Sequence, residues 1–238
     1  MIRRIYKVKL DKEVVPLELN LRLKTYDLLT LEAVFRRLPE KYLYNESLIS
    51  DYKKEKAGYD GERTVDYALS TFPRNDFLII KGLRLENPPF HFQIDTLILS
   101  RKFFLILEIK NNKGTLQYDS RQKQLTQVVD GNKKSYKDPI MQAEAQKNHL
   151  QIWLQQFGIT SPPIETLVVI AFPSTIIENV HKDPLVYEKI IHTASLHDRI
   201  ERLEKNIQEI LQVSRPLKKS PLQCCSGTTR FAPTFLET

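Results

Sequence analysis

Two apolar runs in the middle of the chain, Gln93–Leu99 and Phe103–Lys110, are rich in strand-forming residues and are separated only by Ser100-Arg101-Lys102. That spacing predicts an antiparallel hairpin. Side chains alternate between the two faces of a strand. A register with Leu99 opposite Phe104 therefore sets Leu97 opposite Ile106, Asp95 opposite Glu108 and Gln93 opposite Lys110. One face then carries Gln93, Asp95, Glu108 and Lys110 at one end and Leu97, Leu99, Phe104 and Ile106 at the other. The opposite face, from Ile94 through Ile98 and from Phe103 through Ile109, is almost wholly apolar. Strands of this kind are buried on both sides.

Around the hairpin the pattern predicts a mixed α/β fold, a central mixed sheet flanked by helices. Leu28–Leu38 reads as a short helix stopped by Pro39, and Asp51–Lys56 as a solvated helix face. Gly58-Tyr59-Asp60-Gly61-Glu62 marks a break before a helix over Glu62–Ser70, with Asp60 or Gly61 as its cap. A strand over Asp76–Lys81 is expected to end at Gly82. Asn111-Asn112-Lys113-Gly114 is a strong turn signal directly after Lys110, and it leads to short strands at Thr115–Tyr118 and Gln124–Val129. Asp138 can cap a helix with Pro139 in its first position, ending at Gly158. Leu167–Phe172 reads as a buried strand and Lys189–Thr193 as another. Leu196, Ile200, Leu203, Ile207 and Ile210 form the inner stripe of a last helix. Lys7–Leu10 suggests a short strand near the start. The expected organisation is an accessory helical region over 1–57, a main domain over 58–215, and a poorly ordered tail over 216–238.

The chain has 238 residues, 41% of them hydrophobic and 27% charged, which suits one sizeable globular domain with appendages. No apolar run approaches the roughly 20 residues of a membrane helix. Met1-Ile2-Arg3-Arg4 does not open a secretory signal, so a cytoplasmic location without membrane attachment is expected. Cys224 and Cys225 are adjacent and form neither a disulfide framework nor a paired zinc signature. A net charge of +7 is compatible with nucleic acid.

The charged end of the hairpin changes the picture most. Like charges directly opposed across a ladder, about 4.5–5.5 Å apart at Cβ, are destabilising. Asp95 and Glu108 therefore need compensation from Lys110 or from a bound cation, and Mg²⁺ favours one or two carboxylates with phosphate and water. The plain alternative is a buried ion pair between Lys110 and one acid. Glu62 reads either as a first-turn acid suited to the helix dipole or as a third acid facing the pair. Gln142, Gln146 and His149 lie on neighbouring helical turns and could reach one spot, although solvated roles fit Gln146 and His149 better. Arg121, Lys123, Lys133, Lys134 and Lys137, with Tyr118 and Tyr136 nearby, read as a solvated basic loop or as phosphate contacts. There is no phosphate-binding Gly-x-x-x-x-Gly-Lys loop, no Gly-x-Ser-x-Gly elbow and no zinc-spaced histidine cluster.

In order, Gly61-Glu62, Gln93-Ile94-Asp95, Glu108-Ile109-Lys110 with Gly114, and Asp138-Pro139 with Gln142 resemble the nuclease-related domain (NERD) family over roughly residues 58–175. That family resembles the PD-(D/E)xK restriction-endonuclease-like nucleases. Here Ile94, not proline, precedes Asp95, and the tail carries no recognisable zinc module. The resemblance implies a restriction-endonuclease-like core and Mg²⁺- or Mn²⁺-dependent phosphodiester hydrolysis on nucleic acid, DNA ahead of RNA. Asp95 and Glu108 would bind metal with the Ile109 carbonyl, and Lys110 would act on the attacking water or on the transition state. Glu62, Gln93 and Gln142 would be auxiliary. The rival readings are an inactive nucleic-acid-binding module and a protein-interaction scaffold.

Overall fold

The computed structural model describes residues 17–18, 21–72 and 76–213. The expectations for Lys7–Leu10 and for 216–238 lie outside them. Two mixed sheets form the frame. The first holds β1 (Leu17–Glu18), β2 (Leu78–Asn87), β3 (Phe90–Leu99), β4 (Phe104–Lys110), β8 (Ile164–Ile170) and β10 (Ile190–His192), hydrogen-bonded in that order. β3 runs antiparallel to its neighbours β2 and β4, whereas β4, β8 and β10 are parallel. The second sheet orders β7 (Asn132–Lys137), β6 (Gln124–Val129), β5 (Thr115–Asp119) and β9 (Ile176–Asn179).

Helices cover both faces of the first sheet. α1 (Tyr26–Arg37) is followed by the long α2 (Glu46–Ser70), and α5 (Leu196–Val213) closes the described chain. Val65 and Leu69 of α2 join Leu196, Ile200 and Ile207 of α5 on one side, against Ile98, Leu105, Leu107, Ile109, Leu167 and Val169. On the other side, Leu150 and Leu154 of α3 (Pro139–Gln156) pack on Leu97, Leu99, Phe104 and Ile106. The second sheet covers the rest of that side, its Leu116, Tyr118 and Leu125 meeting Val168, Ile170 and Ile190. A short α4 (Pro184–Lys189) adds Val186 to this cluster. Burial on both faces explains why β4 and β8 read as continuous apolar runs.

The hairpin register holds at its apolar end, with Leu99 opposite Phe104 and Leu97 opposite Ile106. Ser100 Oγ fixes the turn by accepting the N–H groups of Lys102 and Phe103. The Asp138 cap also stands: its carboxylate accepts the Ile140 and Met141 N–H groups, and it takes a 2.8 Å bond from the buried Tyr118 hydroxyl.

Three expectations change. The break at 58–62 is absent: α2 starts at the Asn45 cap and runs unbroken through Gly58 and Gly61 to Ser70. Neither Asp60 nor Gly61 caps a helix, and Glu62 stands mid-helix, where the end dipole no longer acts. Gly61 serves close packing instead, since a Cβ there would meet Asn111 Cβ at 2.4 Å. The helix thereby lies against the loop that follows Lys110, and Asn111 Nδ2 donates to the Ala57 carbonyl at 2.7 Å.

The second change is in β2, which does not end at Gly82. It continues to Asn87, with Gly82 at φ +58°. On either side of Gly82 the apolar alternation shifts phase, so Leu78 and Ile80 share a core layer with Leu83 and Leu85. β3 makes the matching shift around Asp95, where Phe92 and Ile94 join Leu97 and Leu99. The third change is that the basic stretch after Gly131 is a strand, β7, exposed along most of its length and paired to β6.

Candidate active site

The site lies where β3 and β4 part. Their ladder ends at Thr96 opposite Leu107, while β4 stays paired to β8 as far as Lys110 opposite Ile170. β3 remains on β2, with Ile94 opposite Leu83 and Gln93 opposite Arg84. A fork opens at Asp95, and its carboxylate accepts the Ile109 N–H at 2.9 Å. That bond satisfies a backbone donor which the end of the ladder would otherwise leave unpaired.

Glu108 is 2% exposed and fully engaged. Lys110 Nζ donates to its Oε1 at 2.7 Å, and Gln146 Nε2 donates to its Oε2 at 2.6 Å. Lys110 Nζ also donates to Gln142 Oε1 at 3.1 Å. Gln142 and Gln146 are one turn apart on α3, so the helix lays two amides over the Glu-x-Lys strand end. Gln146 is buried, which corrects its solvated reading; its Oε1 finds no partner in this arrangement. Its i, i+4 spacing from Gln142 was the available signal.

On the opposite side stands Arg22, which the sequence pattern does not mark. Its side chain is 5% exposed and comes from the stretch before α1. It bonds both Asp66 oxygens at 2.7 and 2.9 Å, Thr96 Oγ1 at 2.9 Å and the Asp95 carbonyl at 3.1 Å. It also donates to Glu62 Oε2. Lys81 Nζ lies 3.9 Å from Asp66. Nothing in local sequence marks Arg22, because its partners are 40 or more positions away.

The electrostatics follow this layout. Burial pushes the Asp95 carboxyl up to about 7, and the negative charge of Glu108 adds to the effect. The Ile109 N–H pulls the other way, Glu62 raises it a little further, and Lys110 opposes. Burial likewise raises Glu62, against the pull of Arg22, with Asp66 and Glu108 adding to the rise.

The remaining candidates are spread out. The phase shift at Gly82 and Asp95 turns Gln93 away from the position opposite Lys110. Its Oε1 instead accepts Arg84 Nε at 3.0 Å, and it shares a cavity wall with Glu62. Lys133 and Lys134 lie near the end of β7 that adjoins the loop after Lys110, since Val128 is opposite both Lys133 and Thr115. Lys134 lies over the Tyr136 ring, whose hydroxyl bonds Gln127 at 2.9 Å; Gln127 in turn holds the Lys113 carbonyl at 2.7 Å. Lys137 is opposite Gln124 at the far end, beside the turn carrying Arg121 and Lys123. Four residues along a strand is about 13 Å, so the five basic residues do not form one patch. Gly114, at φ +85°, lets this loop enter β5; a Cβ there would meet the Val128 carbonyl at 2.4 Å.

Could the site take a divalent cation? Asp95, Glu108 and the Ile109 carbonyl are hard oxygen donors of the kind Mg²⁺ and Mn²⁺ use. The chemistry of this donor set fits such an ion. Among the described residues, no three of His, Cys, Asp and Glu converge as a ligand group. Substrate oxygens and water would have to complete the sphere.

Two mixed sheets flanked by helices make a mixed α/β core, with Asp95 at a strand fork and Glu108-x-Lys110 on the neighbouring strand. The model of the nuclease-related domain family, NERD, matches residues 57–171. Arg22 lies outside the matched stretch. No curated protein matches the sequence. Among solved structures, protein VC1899 from Vibrio cholerae aligns with 87% of this chain at 14% identity and a TM-score of 0.33. The chain spans about half of that protein, 48% of its length. No helix among the described residues is long and apolar enough to cross a membrane.

Proposed function

We propose that the protein is a metal-dependent nuclease that hydrolyses phosphodiester bonds in nucleic acid, DNA ahead of RNA. The observation that carries this reading is the placement of Asp95 at the strand fork with Glu108-x-Lys110 on the neighbouring strand, inside the stretch that the nuclease-related family matches. Asp95 and Glu108, with the Ile109 carbonyl, would hold Mg²⁺ or Mn²⁺. The bound ion would supply Lewis acidity toward the phosphate and a more acidic water. Gln146 holds Glu108 in one rotamer through its 2.6 Å bond. Lys110, steadied by Gln142, orients the attacking water by hydrogen bonding. Glu62 supplies auxiliary negative charge while Arg22 keeps it in place. Lys133 and Lys134 hold the substrate backbone nearest the site, with Lys137, Arg121 and Lys123 farther along it.

The test is incubation with labelled single- and double-stranded DNA and RNA in Mg²⁺, Mn²⁺ or chelator. Metal-dependent cutting that is lost in both Asp95→Ala and Glu108→Ala supports the enzyme. A second reading rests on the Glu108–Lys110–Gln146 network, which satisfies both Glu108 oxygens without any ion. On that reading the domain binds nucleic acid without cutting it. Salt-sensitive binding with no cleavage in either metal would select it.

A further inference from the structure

Beside the fork, on the α2 side, is a cavity of about 320 Å³ whose wall includes Glu62 of the candidate site. Its lining is unusually basic for so small a space: Arg22, Lys24, Lys81 and Arg84, with Gln93 and Tyr26. The cations are not equally committed. Arg22 is consumed by Glu62 and Asp66, and Lys24 Nζ is held by Glu32 at 2.6 and 2.8 Å. Arg84 is exposed and donates to the neutral Gln93 amide, and among the described residues no carboxylate pairs with it. Tyr26 opens α1 at the rim with 82% of its surface exposed. An exposed aromatic beside an uncompensated guanidinium offers a stacking face and a phosphate contact together.

We propose that this cavity is a subsite for one unpaired nucleotide of the substrate strand. The proposal rests on the nucleic-acid reading above and extends it to a preference for single strands or frayed ends. Arg84 takes the phosphate, Tyr26 stacks the base, and Gln93, bonded to Arg84 on the same wall, is an amide able to meet a base edge or sugar. The cavity admits one nucleotide and not the width of a duplex, so its occupant is unpaired. Arg22 lines the same cavity and donates to the Asp95 carbonyl, so a strand leaving the subsite passes toward Asp95 and Glu108. The segment Leu21–Tyr26, which contributes to the cavity wall, precedes the matched stretch 57–171, so this specificity lies outside the part of the chain that the family matches.

The experiment is fluorescence anisotropy with the full chain in chelator, where no metal-dependent cutting can occur. The probes are a labelled single-stranded oligodeoxynucleotide, the same sequence as a blunt duplex, and that duplex with a three-nucleotide overhang. Wild type should bind the single strand and the overhang more tightly than the blunt duplex. Tyr26→Ala should weaken single-strand binding by about 5- to 100-fold, while Tyr26→Phe, which keeps the ring, should retain it. Arg84→Ala should weaken binding and lower the salt slope by about one. Tyr187→Ala, at an exposed tyrosine outside the cavity, is the comparison variant, and thermal melts confirm that each variant folds. Equal binding of single strand and blunt duplex, or Tyr26→Ala and Arg84→Ala unchanged from wild type, overturns the subsite and leaves the nuclease reading standing. The expected binding losses without any cutting in Mg²⁺ or Mn²⁺ uphold the subsite and remove the nuclease reading. No binding of any probe by wild type overturns the subsite, and cutting in Mg²⁺ or Mn²⁺ then decides the nuclease reading by itself.

Discussion

The two sides of the fork are balanced in opposite ways. On the α3 side one buried acid, Glu108, is met by one lysine and one amide, so both its oxygens are satisfied. On the α2 side two acids, Glu62 and Asp66, share one arginine, whose guanidinium reaches Thr96 and the Asp95 carbonyl as well. Asp95 sits between the two with only a backbone N–H on its carboxylate. The acid that neither side neutralises is the one raised to about 7. A charged cluster can therefore be well satisfied as a whole and still leave one member waiting for a proton or a cation.

Removing Arg22 should have the largest effect. Arg22→Met leaves Glu62 and Asp66 buried without their main cation, and breaking a buried pair in this way costs about 3–5 kcal/mol. Urea unfolding would show the loss; a cost below 1 kcal/mol would mean that the two sides do not differ as described. Gln146→Ala strips one Glu108 oxygen of its donor, at a cost of about 1–3 kcal/mol. Removing the same helix's exposed Met141 side chain should cost far less, and the two melts can be compared directly. Gly61→Ala forces α2 away from Asn111, and overpacking of this kind costs about 1–3 kcal/mol. If Asn111 swings aside instead, the melting temperature will stay at the wild-type value.

Asp95→Asn should act in the opposite direction. The folded protein holds the Asp95 proton up to about pH 7, well above the ordinary 3.8. Below about pH 4 both states are protonated and the acid costs nothing. As pH rises from 4 to 7, the unfolded chain ionises first, and stability falls until the full cost is reached above 7. Asp95→Asn should therefore stabilise the metal-free protein at pH 8 and leave it unchanged at pH 4. By the same proton balance, Mn²⁺ should bind wild type more tightly as pH rises through 7, because the proton must leave first. Calorimetric titrations at pH 6 and pH 8 would measure this, and equal affinities would contradict it.

Much of the site could be read from local pattern. The strand period and the turn at Ser100–Phe103 set Leu99 opposite Phe104, and that register runs to Thr96 opposite Leu107, one step short of Asp95 and Glu108. Lys110 follows Glu108 by strand alternation, and Gln142 follows from the Asp138-Pro139 helix start. Other features were illegible because their causes are distant in sequence. Gly58 and Gly61 look like a helix break, and only the Asn111 contact explains why a long helix keeps a glycine there. Gly82 looks like a strand end, yet its positive φ bends β2 and β3 together and carries Gln93 to the other side of the sheet.

The sequence by itself determined the hairpin, its register and its acids, because side-chain period and turn chemistry are local properties of the chain. Tertiary structure alone decided where the ladder ends, which side of the sheet Gln93 faces, and that Arg22 and Gln146 complete the site. Those outcomes depend on how helices seat against the fork, and a buried charge finds its partner through that packing whatever its distance along the chain.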